Sequence, residues 1–291
     1  MAKRNYYYLI AGLPDLSIDQ GKLQFGSVEF REYLKTQLKS DDYKLIEWLF
    51  LPFDNQNLLS LLTQRYDQWN NAGIYTREQL ELAIAEVVSP DKIISDEPSG
   101  VKLYLIEFIR LFFNEEEPMP AKSRDLLLAT LYYSEAIKLK NEFLLRWLEF
   151  EANVKNLLIY HTAHKLNIPY NNELLNVTDL ARSLVSKVGR DVGEAAEWIY
   201  YNRVIQIAEI NEIANREKSI DLLRWSVLDE MNLFNYFSIE VVISYMIKIM
   251  MIERWLKLDP KTGEELFRKL LGDLQSGYDF PNEFSIKDGK K

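Results

Sequence analysis

Two histidines, His161 and His164, are the residues of this chain with the most evident potential for metal chemistry. They lie three residues apart on a predicted helix, so both side chains can reach one metal ion. The His-Glu-x-x-His zinc pattern needs a spacing of four with an intervening glutamate, and the sequence lacks it. It also offers no obvious third ligand. We therefore predict no metal site and interpret the two histidines as partly exposed structural residues.

Other catalytic motifs are absent from the sequence. It has no cysteine, which removes disulfides, thiolate nucleophiles and cysteine-ligated zinc. It has no glycine-rich phosphate loop and no G-x-S-x-G nucleophile elbow. Carboxylates are numerous, but their spacing nominates no acid–base pair, and the glutamate run at 115–117 fits a solvated connection better than a metal site. We predict no catalytic residue and no cofactor; an enzyme with an unrecognised site is the least favoured hypothesis.

Composition favours a helical protein of a reducing compartment. Only 11 glycines and 9 prolines interrupt 291 residues, which favours long helices over a many-stranded sheet. The net charge of −9 argues against nucleic-acid binding and against docking onto anionic lipid by general charge. The N-terminal segment, whose aromatic run at 6–10 fits a short strand or a first helical turn, becomes polar too quickly for a signal peptide. The apolar run at 241–252 is shorter than the about 20 residues of a spanning helix.

These properties predict a soluble, cytoplasmic protein. Nucleic acid is not an expected partner.

Capping residues and prolines predict the helices of the first half. Ser27 is expected to cap one helix, because its hydroxyl can accept from the first free N–H groups. Pro52 is expected to end a later helix, and Asp54 to cap the one that follows. Thr76 and Gln79 have the spacing of a capping box.

In the second half, stretches without glycine or proline predict long helices. We expect helix from 121 to 168 with a bend near Asn141. From 194 to 259 we expect helices separated by breaks at 215–219 and 232–238. A last short helix is expected at 264–274. The predicted fold class is all-α.

Glu151 and Lys155 lie near the middle of the apolar arc of the helix that follows Asn141. They are four residues apart in the favourable order, so they can pair with each other. If the arc is buried, such a pair costs desolvation and fixes a geometry rather than adding stability. A solvated gap in the arc explains the two charges equally well.

A short pattern occurs twice in the chain, with a looser third copy. Leu-Leu-Arg-Trp ends at Trp147 and again at Trp225, and Leu-Ile-Glu-Trp ends at Trp48. Each copy is followed by an acid and by asparagine, and these residues are Asp54, Asn57, Glu151, Asn153, Asp229 and Asn232. Chance likeness among leucine-rich helices is the alternative to the favoured hypothesis of an internal repeat. We expect the tryptophans to be core anchors, or to line an inner surface on which another helix docks.

Two stretches carry a family resemblance. The first runs from Glu151 through Asn153 and Lys155 to Leu158, and the second comprises the closing residues Phe237, Glu240, Tyr245, Lys248, Glu253, Gly263, Phe267 and Leu271. Both are similar to segments of the helical subunit of V-type and A-type rotary ATPases called subunit d or C. Where that family tends to have arginine after the first segment, this chain has Ile-Tyr-His at 159–161. The opening YYYLIAGLPDL resembles a group of uncharacterised bacterial proteins encoded beside V-type ATPase genes.

The resemblance implies a funnel-like or lobed array of three related helical units, which we place at 1–117, 118–192 and 193–291 of one continuous helical domain. It implies a non-catalytic protein that seats the rotor shaft on the membrane proteolipid ring and transmits torque between them. Such a protein would lie at the inner face of the cell membrane, held there through these protein partners only. Tyr245, Lys248 and Glu253 join the repeat residues as candidates for structural or partner contact. The alternative is a stand-alone helical scaffold or assembly factor in the cytoplasm.

Overall fold

The computed structural model describes residues 5–88, 100–114, 120, 123–186 and 196–258. Within these ranges the backbone forms α-helices and short 3-10 helices at Tyr66–Gln68 and Asn171–Glu173, and it contains no β-strand. This confirms the all-α prediction. The α-helices, in chain order, are α1 Tyr7–Ala11, α2 Ser27–Gln37, α3 Ser40–Trp48, α4 Leu51–Leu62, α5 Arg77–Val88, α6 Leu103–Phe112, α7 Arg124–Ala136, α8 Glu142–Leu166, α9 Asp179–Ser186, α10 Tyr201–Ala208, α11 Ile213–Met231 and α12 Ile239–Leu258.

Among the capping predictions for the first half, the structure confirms one and corrects the others. The capping box is confirmed, because the Thr76 N–H donates to Gln79 Oε1 at 2.9 Å and the Gln79 N–H donates to Thr76 Oγ1 at 3.3 Å. Pro52 does not end a helix: it lies in the first turn of α4, where a fixed φ and a missing N–H cost nothing. Asp54 is therefore inside α4 and caps nothing there.

The predicted long helices of the second half are divided differently. The stretch 121–168 forms α7 and α8, and Asn141 caps α8 by accepting from the Leu144 N–H at 2.8 Å. The expected break at 215–219 is wrong, since α11 is continuous from residue 213 to residue 231 and buries Ile220 and Leu223 within one core. The break at 232–238 is confirmed. The expected helix at 264–274 and the glutamates at 115–117 lie outside the described residues.

Helix α12 is the element on which the others converge. It packs against α2, α3, α8 and α11, and it buries side chains around most of its circumference, including Val242, Ile243 and Met246. A helix that is apolar all round is stable only when it is surrounded. Its neighbours come from all three predicted units, and their buried side chains form one hydrophobic cluster. The three-unit repeat itself stays a prediction.

A carboxylate of α12 holds the beginning of α2. Glu253 on α12 accepts from the Ser27 backbone N–H at 2.8 Å and from the Ser27 hydroxyl at 2.5 Å. Gly26 is the N-cap residue of α2, so Ser27 is not the cap that the sequence predicted. A Cβ at Gly26 would lie 2.7 Å from Glu253 Oε1, and the glycine therefore permits the close approach. The capping oxygen comes from a residue 226 positions away.

Candidate functional site

A cavity of about 290 Å³ lies where α7, α8, α11 and α12 meet the connection between α3 and α4. Its wall is mainly apolar and includes Leu49, Tyr132, Trp147 and Met250. The charged side chains of the wall are Glu151, Asp221, Arg224 and Arg254. All three units predicted from the sequence therefore contribute to one concave site.

The ion pair between Glu151 and Arg224 crosses this site from α8 to α11. Arg224 Nε donates to Glu151 Oε1 and Arg224 Nη2 donates to Glu151 Oε2, each at 2.8 Å. The two side chains are 20% and 22% exposed. Two parallel hydrogen bonds between a guanidinium and a carboxylate fix orientation as well as distance. The pair therefore sets how the two helices face each other.

Asp221 extends the network from α11 to α12. Its side chain is 1% exposed, and it accepts from Arg224 Nη1 at 3.0 Å and from Arg254 Nη2 at 2.5 Å. The indole N–H of Trp255 donates to it at 2.7 Å. Burial by itself lowers the pKa of Arg224, but the carboxylates of Glu151 and Asp221 outweigh it and raise that pKa above its ordinary value. The arginine consequently stays charged at any physiological pH.

The chemistry of the cavity is that of an anchor. Each charged side chain named on its wall has an opposite charge within hydrogen-bond distance. The remaining wall is apolar and aromatic, which is the composition of surfaces that bury a few large side chains of a partner.

The three repeat tryptophans occupy different environments. Trp48 is buried, and its carbonyl accepts from the Tyr132 hydroxyl at 3.0 Å. Trp147 is buried and lines the cavity. Trp225 is half-buried, with Lys248 Nζ 4.6 Å from its ring centroid. The first two are core residues, whereas the third holds a cation at the edge of the core.

Asn57 and Asn156 hold following loops in the same way. The Asn57 amide donates to the Asn70 carbonyl at 2.9 Å and accepts from the Asn70 N–H at 2.7 Å. The Asn156 amide donates to the Leu175 carbonyl at 2.9 Å and accepts from the Leu175 N–H at 2.8 Å. Both asparagines are fully buried. Each side chain thereby pairs with both backbone groups of one loop residue, whose carbonyl also accepts from a nearby backbone N–H, that of Gly73 for Asn70 and that of Val177 for Leu175.

Asp54 lies three positions before Asn57, and Asn153 lies three positions before Asn156. Each bonds to a later residue of the loop that the following asparagine contacts. Asp54 is fully buried and accepts from the Ile74 N–H at 2.9 Å and the Tyr75 N–H at 3.0 Å. Burial raises the pKa of Asp54 to about 6, and these hydrogen bonds only partly offset it. Asn153 accepts from the Thr178 hydroxyl at 2.7 Å. The first and second copies thus share a loop clamp.

The third copy lacks this clamp. Asp229 is paired with Lys248 of α12, and the Asn232 amide donates to the Leu228 carbonyl of its own helix at 3.1 Å. Asp229 is 59% exposed, so its ion pair is a surface contact. The acid and the asparagine of this copy therefore contact different groups from those that Asp54 and Asn57 contact.

Tyr245 joins α12 to the N-terminal segment. Its hydroxyl donates to the Pro14 carbonyl at 2.9 Å, and its ring lies 5.4 Å from that of Phe30. Burial, with the nearby Asp15 carboxylate, raises the pKa of Tyr245 to about 12. Together with the contact of Glu253 at α2, this makes α12 a structural joint to the amino-terminal part of the chain.

The predicted pair of Glu151 with Lys155 is wrong. Lys155 is exposed, and the carboxylate of Glu151 lies against Arg224 instead. A pair four residues apart on one helix contributes only about 0.2–0.5 kcal/mol, so a bidentate arginine on a facing helix prevails. Arg224 was the residue that sequence reasoning overlooked, although it stands in the repeated Leu-Leu-Arg-Trp. Nothing local indicated Asp221 or Arg254.

The two histidines make no metal centre with their neighbours. His164 packs its ring 4.3 Å from that of Tyr160 and 5.5 Å from that of Tyr170. In the part of the chain that the structure describes, no group of three His, Cys, Asp or Glu side chains is arranged to hold a metal ion.

None of the helices in the described ranges combines the length and the apolar character required to cross a bilayer.

Comparison with known proteins gives a family. The chain belongs to the family described as protein of unknown function (DUF2764), whose model matches residues 1–278. No curated protein and no solved structure matches the chain.

Proposed function

We propose that this protein is a non-catalytic subunit or accessory protein of a V-type rotary ATPase, located at the cytoplasmic side of the membrane. Its task is to seat the central rotor shaft on the membrane proteolipid ring and to transmit torque between them. The sequence resemblance to the d or C subunit family motivates the proposal. The cavity that all three predicted units line is the observation that carries it.

The cavity suits this task for mechanical reasons. Its volume of about 290 Å³ accommodates a few anchoring side chains of a partner helix, and a few buried anchors dominate the strength of such contacts. The bidentate pair of Glu151 and Arg224 and the buried Asp221 hold α8, α11 and α12 in fixed relative orientation. A seat that transmits torque needs such orientation-specific contacts between its helices.

The test is recovery of partners from the native cell with a tagged chain at low salt, followed by identification of the bound proteins. Stoichiometric recovery of V-type shaft and ring subunits is the expected result. If the V-type ATPase is isolated intact from the same cells and the tagged chain is not bound to it, the proposal is contradicted. That result would favour a scaffold or assembly factor with another partner.

A variant that fills the cavity makes the test specific. Met250→Trp enlarges a half-buried side chain on the cavity wall. Met231→Trp makes the same change at a half-buried methionine outside the residues that line the cavity. We expect Met250→Trp to reduce recovery of the shaft while Met231→Trp preserves it, with unchanged thermal unfolding of both. Equal recovery with the two variants would remove the cavity from the contact.

A further inference from the structure

An exposed aromatic surface lies where the link between α11 and α12 meets the N-terminal helix α1. Its most exposed side chains are Tyr8 at 97%, Phe234 at 84% and Tyr236 at 70%. The rings of Tyr7 and Phe237 lie 4.6 Å apart, and the Tyr6 N–H donates to the Phe237 carbonyl at 2.5 Å. These contacts join two segments distant in sequence into one surface, which we call the aromatic face.

The aromatic face is built from segments without charge. Residues 5–14 and 231–238 contain no Asp, Glu, Lys or Arg, in a chain of which 27% is charged. Contiguous exposed apolar surface of this kind marks an interaction site. Its complement is another uncharged surface, because a charged partner group would lose its hydration there without gaining an opposite charge.

Net charge restricts where such a face can point. The chain carries −9, and the cytoplasmic leaflet of a membrane is negative. Repulsion between the acidic protein and the anionic lipid therefore opposes the approach of most of this protein's surface to the bilayer. A face built from uncharged segments meets much less of this repulsion. Tyrosine rings, such as those of Tyr8 and Tyr236, also suit the boundary between membrane and water, because one end of the side chain is apolar and the other carries a hydroxyl.

We infer that the aromatic face is the surface of this protein that contacts the membrane-embedded ring, and that the shaft is bound elsewhere. The inference rests on the proposed function. The occupant is a protein surface with uncharged, apolar side chains at the cytoplasmic rim of the ring. Phe234 and Tyr8 are the anchors, since they are the two most exposed side chains of the aromatic face.

The test uses the full chain and three purified probes: the ring in phosphatidylcholine nanodiscs, empty nanodiscs of the same lipid, and the shaft subunit. Phe234→Glu and Tyr8→Glu place a charge on the aromatic face. Ile213→Glu is the matched control, because Ile213 is 67% exposed and lies at the other end of α11, about 27 Å along the helix from Met231. Exposed substitutions of this kind leave the fold intact.

We expect wild type to bind the ring, Phe234→Glu and Tyr8→Glu to weaken that binding about tenfold or more, and Ile213→Glu to leave it unchanged. Binding to the shaft should be the same for all four chains. Ring binding that is insensitive to both aromatic substitutions would overturn the inference while leaving the proposed function in place. Wild type that binds neither ring nor shaft would refute the proposed function itself.

Two other outcomes would overturn the choice of occupant. Equal binding of wild type to empty nanodiscs, lost in Phe234→Glu, would make the aromatic face a lipid-binding surface. Self-association of wild type in sedimentation, lost in the same variant, would make it an interface between copies of this chain.

Discussion

Glu151 and Arg224 lie 73 positions apart in the chain and are joined by two hydrogen bonds of 2.8 Å across the central cavity. The substitution Arg224→Met would leave Glu151 without its partner and deprive Asp221 of one of its donors. Removal of one member of a buried pair strands the other charge, so we expect a loss of about 3 kcal/mol in the free energy of unfolding. Urea denaturation measures it.

Arg146→Met is the control for that prediction. Arg146 occupies the same place in the other Leu-Leu-Arg-Trp copy but is exposed, and its substitution should change the free energy of unfolding by less than about 0.5 kcal/mol. Equal effects of the two substitutions would show that the Glu151 pair contributes nothing beyond surface charge.

Asn156 makes two side-chain hydrogen bonds to the backbone of Leu175, and Asn156→Ala removes them together. The N–H of Leu175 would then be buried without a partner, at a cost of about 1–3 kcal/mol, while its C=O still accepts from the Val177 N–H. We expect Asn156→Ala, and likewise Asn57→Ala, to destabilise the fold more than Asn232→Ala. Asn232 bonds only to its own helix end within the described residues. A ranking with Asn232→Ala first would contradict the clamp.

Asp54 predicts a pH dependence of stability with a definite sign. Its pKa is raised in the folded state from 3.8 to about 6, so between these values the folded chain binds the proton more tightly than the unfolded chain. Stability from this group therefore rises as pH falls from 6 towards 4 and is lost as pH rises. When the pH is lowered from 7.5 to 4.5, the free energy of unfolding of wild type should rise, relative to that of Asp54→Asn, by on the order of 2 kcal/mol. A difference between the two proteins that does not change with pH would refute the assignment.

The effects of substitutions at Gly26 and Glu253 on the free energy of unfolding should not be additive. Gly26→Ala places a Cβ 2.7 Å from Glu253 Oε1 and displaces the carboxylate that caps α2. We expect a cost of about 1–2 kcal/mol, the usual value of a lost cap. Once Glu253→Ala has removed the carboxylate, the same Gly26→Ala change should be neutral or slightly stabilising, because the backbone of Gly26 is extended and alanine restricts the unfolded chain. A thermodynamic cycle of the four proteins separates these cases; simple additivity would refute the contact.

The revised partner of Glu151 changes the expectation for Lys155. Because Lys155 is exposed, Lys155→Leu should alter the free energy of unfolding by less than about 0.5 kcal/mol. If urea denaturation shows that Lys155→Leu greatly lowers the free energy of unfolding, the pair of Glu151 and Lys155 expected from the sequence would be supported after all.

The comparison of sequence and structure separates local from long-range information. The capping box of Thr76 and Gln79 depends on residues within one turn, and the sequence predicted that helix start. At Asn141 the sequence predicted only a bend in a continuous helix, whereas the structure begins α8 there. Pro52 was misplaced because a proline both ends one helix and suits the first turn of the next. The pattern alone does not distinguish the two uses.

The site residues followed the same division. The sequence singled out Trp147 and Glu151 through a repeated pattern, and both line the cavity. It could not supply Asp221 or Arg254, whose roles arise only when α11 and α12 pack together. Glu253 was noted for a family resemblance, whereas its contact with Ser27 depends on the path of the whole intervening chain.

That contact has a consequence for synthesis. Glu253 follows Ser27 by 226 positions, and a ribosome adding about 5–20 residues per second needs roughly 10–45 seconds to reach it. During that interval the start of α2 must rely on water, and α12, on which α2 and α3 pack, does not yet exist. Helices α2 and α3 therefore cannot complete their packing until α12 has been synthesised. A nascent chain interrupted before α12 exposes the apolar sides of α2 and α3 to chaperones and proteases.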